Sequence, residues 1–423
     1  MTAEIAVMNK SAIALAADSA VTIEHPTGQK VYNTINKLFA LSRHQPVGMM
    51  VFGGAELLGV PWETILRVYQ AKLASRKFNT LQGYANDFLS FLDRKNPLFP
   101  AKQQDDDFVF SVLGYFTSLR TETDKQVKST ITKTGKADSA TIRKIAATVI
   151  QSHFNNWKKA PHLDSMPKSH KRRILTRYRK QIVAAINTAF EKLPLSNRSR
   201  RQLLDMAGDT CCKRLFSLGA SGVVIAGFGE KQIFPEVVAY DVDTVILNRL
   251  KYAKKERKCY RITHQHEACI MPFAQEDVVY TFVEGVDPQY QRLVDSLLSS
   301  GLGLYPDKIV GGLPGIAGPK KDKLIKAIRK FGEKLQQAFG EDLHKYRKNS
   351  HVDPLVEVVR VLPKDDLAAM AESLVNLTCL KKKMSFGAET VGGPIDVAVI
   401  SKGEGLIWIK RKHYFTKDLN PQF

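Results

Sequence analysis

Directly behind Met1 the chain reads TAEIAVMNKSAIALAAD, residues 2–18. Two apolar runs flank Asn9-Lys10-Ser11, a turn-prone break, and this arrangement is typical of a β-hairpin. Because Thr2 and Ala3 are small, we expect Met1 to be removed, which would leave Thr2 with a free α-amine. That residue would then supply a hydroxyl nucleophile together with its own general base.

The chain that follows the hairpin predicts further strands and a helix. Residues 30–41 end in an apolar run, and residues 47–52 have the continuous apolar character of a buried strand. Gly53-Gly54-Ala55 marks a turn, and residues 56–73 take helical periodicity.

In order and spacing, this region resembles the β-subunits of the proteasome and the peptidase subunit of the bacterial two-component proteasome-like protease. Both are N-terminal nucleophile hydrolases. Thr2 matches the family's nucleophile, and Asp18, sixteen residues further on, matches its aspartate. Lys37, in Asn36-Lys37-Leu38-Phe39, matches the active-site lysine, and Gly53 matches the glycine whose N–H faces the oxyanion.

The resemblance implies a role for each of these residues. The threonine hydroxyl would attack, the lysine cation would favour its deprotonation, and the aspartate would orient the lysine. The glycine N–H would stabilise the charge on the substrate carbonyl oxygen. Taken singly, Asp18 also fits a turn, Lys37 a solvated strand end, and Gly53 a bend before a helix.

The far end of the chain resembles the closing hairpin of the same fold. Residues 391–400 and 406–409 are predicted as strands joined at Gly403-Glu404-Gly405, and residues 364–380 as the preceding helix. The family's usual Ser-Gly-Gly is Val391-Gly392-Gly393 here.

The middle of the chain carries a weaker match. Residues 222–229 and 235–246 are predicted as the middle pair of strands, and residues 268–271 as a continuation of that sheet. No Gly-Ser-Gly element stands at residues 272–275, and Glu389 is one position out of register with the family's helper aspartate.

With 423 residues, the chain is about twice the length of a compact proteasome-type subunit. We therefore expect an α+β fold, a proteasome-type four-layer αββα sandwich of two antiparallel sheets with two largely helical insertions. The predicted segments are the first part of the core (2–95), a basic helical insertion (96–217), a second part of the core (218–289), a Gly/Pro-rich loop with a basic helix (290–354), and the last part of the core (355–423).

Helical periodicity within the insertions covers residues 142–154, 174–193, 200–215 and 321–346. Residues 301–319 are rich in Gly and Pro and predict a loop.

The first insertion holds much of the net charge of +21, because residues 151–200 contain twelve Lys or Arg and two acidic residues. Such a stripe suits phosphate contacts, an acidic partner surface, unfolded substrates or plain solvation. Candidate groups for stacking on bases are Phe154, Trp157 and Tyr178. No recognised nucleic-acid motif accompanies the charge, so nucleic acid is not the favoured partner.

Five cysteines, an odd number without a CxxC pair, argue for a reducing compartment. His264, His266, Glu267 and Cys269 lie close together, but no second ligand pair follows at metal-site spacing, so we expect neither metal nor cofactor. No apolar run approaches the roughly 20 residues of a membrane span. We expect a cytoplasmic protein, and without a Walker-type loop any ATP-dependent unfoldase would be a separate chain.

The predicted function is that of a threonine-type endopeptidase, acting through an acyl-enzyme on Thr2 within a homo-oligomeric ring. The family's S1-lining positions imply an apolar P1 side chain and fall on Val21, Ile35, Phe39, Val51 and Ala55. Two alternatives stay open: a non-catalytic scaffold whose basic insertion binds nucleic acid or protein, and an N-terminal nucleophile amidohydrolase acting on small amides.

Overall fold

The computed structural model describes residues 2–25, 28–193, 195–385, 391–413 and 415, and it has a mixed α+β fold with antiparallel sheets. In chain order the strands are β1 (Glu4–Asn9), β2 (Ala12–Ala17), β3 (Val21–His25), β4 (Gly28–Tyr32), β5 (Leu38–Ala40), β6 (Val47–Gly53), β7 (Glu56–Leu57), β8 (Val60–Pro61), β9 (Ser221–Gly227), β10 (Glu236–Ile246), β11 (Arg249–Lys254), β12 (Tyr260–Arg261), β13 (Ala268–Ala274), β14 (Asp396–Ser401) and β15 (Gly405–Lys410).

The α-helices follow the same order of the chain. They are α1 (Trp62–Leu73), α2 (Leu81–Leu92), α3 (Ala101–Thr134), α4 (Ser139–Lys159), α5 (His170–Ala189), α6 (Asn197–Asp209), α7 (Glu276–Glu284), α8 (Pro288–Gly311), α9 (Gly318–Arg347), α10 (Asp353–Val361) and α11 (Lys364–Lys383). Within the described ranges, no helix combines the length and the apolar character needed to cross a membrane.

The chain divides into two compact units. The first unit consists of Met1–Leu38 and Arg261–Phe423, and the second consists of Phe39–Tyr260.

The first unit is built on an antiparallel sheet in the order β13-β1-β2-β14-β15. Because β13 pairs with β1, the prediction that residues 268–271 continue the sheet of the middle strands is wrong. The predicted hairpin is confirmed, with Ala6 opposite Leu15 across β1 and β2. Asn9 shapes the turn, because its Oδ1 accepts from the backbone N–H of Ser11 at 2.9 Å and of Ala12 at 3.3 Å. Every residue of β1 and β2 is buried, which explains why these strands, apart from Glu4 and Asn9 at the two ends of β1, are apolar rather than alternating.

Helix α11 covers one face of this sheet. Its buried side chains, including Leu367, Ala371 and Leu374, form one apolar cluster with Val7 of β1 and Val397 of β14. The predicted closing strands and the helix before them are therefore present, and they tie the far end of the chain to its beginning.

The second unit contains an antiparallel sheet in the order β11-β10-β9-β6-β5. Helices α1 and α2 cover one of its faces, where Trp62, Tyr69 and Phe88 cluster with Val51 and Ile225. The Tyr69 and Phe88 rings meet edge to face at 4.9 Å, a favourable aromatic geometry.

Helices α3 to α6 pack around a core of their own in the second unit. Phe108, Phe116, Ile174 and Tyr178 are among its buried members. The helices predicted in this region are confirmed with shifted ends; α5, for example, begins at His170 rather than at Ile174.

The loop predicted over residues 301–319 is wrong for most of its length. Helix α8 continues through Gly301, Gly303 and Pro306, and Gly332 of α9 brings that helix close to Leu302 of α8. Helix-on-helix packing outweighs the low helix propensity of Gly and Pro here.

Candidate active site

Asp18 lies at the centre of a buried polar cluster just beyond β2. Its side chain is inaccessible to solvent. Oδ1 accepts from Ala3 N–H at 2.9 Å and from Lys37 Nζ at 2.7 Å, and Oδ2 accepts from Ala20 N–H at 3.2 Å and Gly392 N–H at 2.9 Å. Both carboxylate oxygens are therefore satisfied, so burial costs Asp18 little and its orientation is fixed.

Lys37 reaches this carboxylate from the segment between β4 and β5. The residue is 3% exposed, and its ammonium also donates to the carbonyl oxygen of Ala20 at 2.5 Å. A buried cation with two acceptors in fixed positions is a preorganised charge rather than a solvated strand end.

Thr2 is held at the same place through its neighbour in the chain. Ala3 makes two backbone links to Asp18, because its N–H donates to Oδ1 and its carbonyl accepts from Asp18 N–H at 3.1 Å. Thr2 itself is 5% exposed. The structure thus brings Thr2, Asp18 and Lys37 together within the first unit.

The Gly392-Gly393 pair completes the cluster from the far end of the chain. Besides its bond to Asp18, Gly392 accepts from Ser19 N–H at 3.1 Å. Gly393 has a φ of +76°, and a Cβ there would lie 2.9 Å from the Asn33 carbonyl oxygen. Only glycine permits this close approach.

Glu4 is an unforeseen member of the cluster. It is 2% exposed, and both of its carboxyl oxygens lack a hydrogen-bond partner among the described residues. Burial raises the pKa of Glu4 well above its ordinary value; the Lys37 charge opposes this rise and the Asp18 charge adds to it. The cluster therefore contains a carboxyl group whose neutral form is favoured, close to a charged pair.

Cys379 of α11 does not offer a competing nucleophile. Burial, reinforced by the Asp18 charge, raises the pKa of the Cys379 thiol to about 11. The thiolate is the reactive form of cysteine, so this group is unreactive at neutral pH.

The remaining predicted site residues are divided between the two units. Val21 and Ile35 belong to the first unit, where Ile35 N–H donates to the Ser19 carbonyl at 3.2 Å. The residues in the second unit are Phe39, Val51, Gly53 and Ala55.

Gly53 ends β6 in a conformation that requires glycine. Its φ is +79°, and a Cβ would lie 2.6 Å from the carbonyl oxygen of Ala220. Glu389, the carboxylate weighed as a helper aspartate, lies outside the described residues.

Sequence reasoning missed two features of the cluster. Glu4 had a signal, since it is the single charge within the apolar residues 3–8. No sequence signal predicts the hydrogen bond from Gly392 to Asp18, because the two residues are 374 positions apart in the chain.

Of the three candidate stacking groups in the basic insertion, Phe154 is half-buried. Tyr178 and Trp157 are buried, at 1% and 8% exposure, so these two are not available to stack on bases. Both have the helical spacing of core residues and pack there. Part of the charge is also paired, since Arg177 contacts Asp105 at 2.7 Å and Lys171 contacts Asp209 at 2.9 Å.

Among the described residues, no group of three or more His, Cys, Asp or Glu side chains is arranged to hold a metal ion. Glu267, weighed as a ligand, forms ion pairs with Lys10 and Arg360.

The sequence matches no model of a known protein family, and a search of curated proteins found no similar sequence.

Proposed function

We propose that this chain is a proteasome-like N-terminal nucleophile hydrolase, a threonine peptidase that cleaves peptide bonds through an acyl-enzyme on Thr2. The observation that carries the proposal is the buried Asp18 carboxylate, whose Oδ1 accepts from both Ala3 N–H and the Lys37 ammonium. This shared oxygen fixes a cation relative to the backbone directly behind the hydroxyl nucleophile.

In the proposed reaction, removal of Met1 frees the α-amine of Thr2. The amine takes the hydroxyl proton while Oγ1 attacks the substrate carbonyl carbon, and the Gly53 N–H stabilises the resulting oxyanion. The carbon–nitrogen bond then breaks, the leaving amine takes the proton, and an ester on Thr2 remains. Water, deprotonated by the same α-amine, hydrolyses the ester and restores Thr2.

The proposal includes the four-layer sandwich expected for this reaction. Each unit supplies an antiparallel sheet with helices on one face. Alternate residues of the same strands, such as Met8 and Leu15 in the first unit and Met50 and Val224 in the second, are also buried. In the proposed fold, a second sheet would cover that other face.

An apolar P1 side chain is the proposed preference of the peptidase. Val21, Ile35, Phe39, Val51 and Ala55 are the residues proposed to contact it, and all are apolar. Cleavage of peptides with acidic, basic and apolar P1 residues at equal rates would contradict this preference.

Assembly into a homo-oligomeric ring is a further part of the proposal. Helix α9 exposes Phe331 at 68%, Leu335 at 52% and Phe339 at 46%, which lie along one face at intervals of four residues. Exposed apolar patches of this kind mark interaction surfaces. We also propose a reducing, cytoplasmic setting, since the five cysteines are an odd number without a CxxC pair, and a separate ATP-dependent unfoldase.

The decisive experiment measures the intact mass and N-terminal residue of the purified protein before and after treatment with a peptide epoxyketone. That reagent requires a hydroxyl and a free α-amine on one residue. We expect loss of Met1 and a single adduct mapped to Thr2.

Thr2→Ala is the matched control, because alanine still permits removal of Met1 but has no hydroxyl. The Thr2→Ala variant is expected to form no adduct and to lose peptide cleavage. The Thr2→Ser variant is expected to form the adduct and to cleave peptides. Retention of Met1 by the wild-type protein, or an adduct on the Thr2→Ala variant, would overturn the proposal.

A further inference from the structure

A cavity of about 290 Å³ lies in the second unit, between α3, α4, the segment after α6 and the β10–β11 hairpin. Aromatic side chains form much of its wall, notably Phe108, Tyr115, Trp157 and Phe216. Its volume is at the lower end of the range for ligand sites, about 300 to 1,000 Å³, so it suits a molecule built around one small ring or short chain.

The Lys251 ammonium in this cavity already has hydrogen-bond partners within the protein. Lys251, 1% exposed, donates to Asp243 at 2.7 Å and to the Leu215 carbonyl at 2.5 Å, and its ammonium lies 4.8 Å from the centre of the Phe216 ring. Asp243 also accepts from the Ser217 hydroxyl at 2.6 Å. The charges of Lys251 and Asp243 therefore compensate each other, and an anionic ligand would gain little by contacting Lys251.

Asp107, by contrast, has spare capacity to accept hydrogen bonds. Its Oδ2 accepts from the Thr244 hydroxyl at 2.7 Å, and within the described part of the chain it has no other hydrogen-bond partner and no ion pair. Burial raises the pKa of Asp107, and the charge of Asp243 adds to the rise. A bound cation would relieve both effects by compensating the carboxylate.

The cavity thus combines one unpaired carboxylate with aromatic walls, and the charges of Asp107, Asp243 and Lys251 sum to one negative charge. We propose that it binds a small primary amine with an aromatic body, the ammonium donating to Asp107 and the ring packing among Phe108, Trp157 and Phe216. Aromatic faces attract cations as well as rings, which adds to the selectivity. This site is independent of the Thr2 cluster.

The test uses the full chain and isothermal titration calorimetry with three probes of matched size. They are 2-phenylethylamine, 2-phenylethanol and phenylacetate, titrated to about 10 mM, a range suited to so small a ligand. We expect saturable binding of the amine, with the alcohol weaker by about tenfold or more and the acid weaker still.

Variants locate the binding. Asp107→Asn keeps an acceptor for Thr244 and should weaken amine binding by about tenfold or more. Asp106→Asn is the matched control, because it removes the same charge from the exposed neighbouring position of α3 and should leave the affinity unchanged. Ser111→Phe, at the exposed rim of the cavity, should block all three probes.

No saturable binding of the amine, equal affinity for the amine and the acid, or equal losses in Asp107→Asn and Asp106→Asn would each overturn the proposal. The comparison of probes needs only the wild-type protein, so it decides the matter even if a variant fails to fold.

Discussion

The ion pair between Lys37 and Asp18 is the residue-scale feature on which we expect both stability and the proposed peptidase activity to depend. Lys37→Met would leave the Asp18 carboxylate buried without its cation, so we expect a loss of about 3 to 5 kcal/mol in the free energy of unfolding. Peptide cleavage should be lost as well. Urea denaturation and turnover of a fluorogenic peptide measure the two effects, with exposed Lys383→Met as the control.

A double-variant cycle separates the pair from the individual residues. Asp18→Asn combined with Lys37→Met should lose less stability than the two single losses added together, by about 1 kcal/mol or more, because each single variant already breaks the pair. Strictly additive losses would show that the two side chains do not stabilise each other.

Glu4 should make stability depend on pH in the direction opposite to an ion-paired carboxylate. Because its folded-state pKa is raised by burial, the unfolded chain releases the Glu4 proton at lower pH than the native protein does. The native state therefore loses stability as pH rises from about 4.5 through the raised pKa, by about 1.4 kcal/mol for each unit between the two pKa values.

Glu4→Gln removes this dependence and tests it. The variant should match the wild type in free energy of unfolding near pH 4.5, apart from a constant offset, and should gain on it as pH rises. Glu333→Gln, at an exposed position of α9, is the control. A difference between variant and wild type that stays constant from pH 4.5 to 8 would contradict the expectation.

At the scale of elements, the end of β6 is fixed by its approach to the segment before β9. Gly53→Ala forces a positive φ on alanine and places its Cβ 2.6 Å from the Ala220 carbonyl. Gly59→Ala imposes nearly the same φ, +75°, but its nearest neighbour is a side-chain atom at 3.7 Å. We expect both to cost about 1 kcal/mol from the conformation alone, and Gly53→Ala to cost clearly more.

Thermal unfolding of the two variants measures this difference, and peptide cleavage adds a second readout. If Gly53 also supplies the oxyanion N–H, Gly53→Ala should lose activity while Gly59→Ala keeps it. Equal melting temperatures for both variants would show that the backbone at Ala220 shifts to relieve the contact with the added Cβ at no measurable cost in stability.

The elements themselves were largely predictable, for reasons that also explain the errors. Strands β1, β2 and β6 are largely buried and, apart from Glu4 and Asn9 at the ends of β1, without polar side chains. Helices α4 and α9 have long helical periodicity, so local sequence alone predicts these elements. Helix α8 is not predicted from local sequence, because Gly301, Gly303 and Pro306 indicate a loop. The helix is stabilised by packing on α9, which is a tertiary effect that local sequence does not encode. Order and spacing indicated Asp18 and Lys37, but no local pattern encodes the bond from Gly392.

At the scale of the whole molecule, the exposed apolar face of α9 and the net charge of +21 act in opposite directions on assembly. Like charges disfavour association, and apolar burial favours it. We expect the apolar term to dominate and the purified protein to be a defined oligomer, with Leu335→Glu shifting it toward monomer.

Sedimentation velocity measures the assembly state of these variants. Gln337→Glu adds the same charge two positions away, off the apolar face of α9, and should leave the assembly intact. A wild-type monomer at all concentrations, or equal dissociation by both variants, would contradict the ring.

The hydrogen bond from Gly392 N–H to Asp18 also limits when the buried cluster can form during synthesis of the protein. The first strands leave the ribosome early, but β2 lacks its partner β14, and Asp18 lacks one of its donors, until nearly the whole chain has been translated. A nascent chain would therefore carry Thr2 in an unassembled site throughout elongation. If the chain is the hydrolase proposed above, its active site would then be completed only when the polypeptide is almost fully translated.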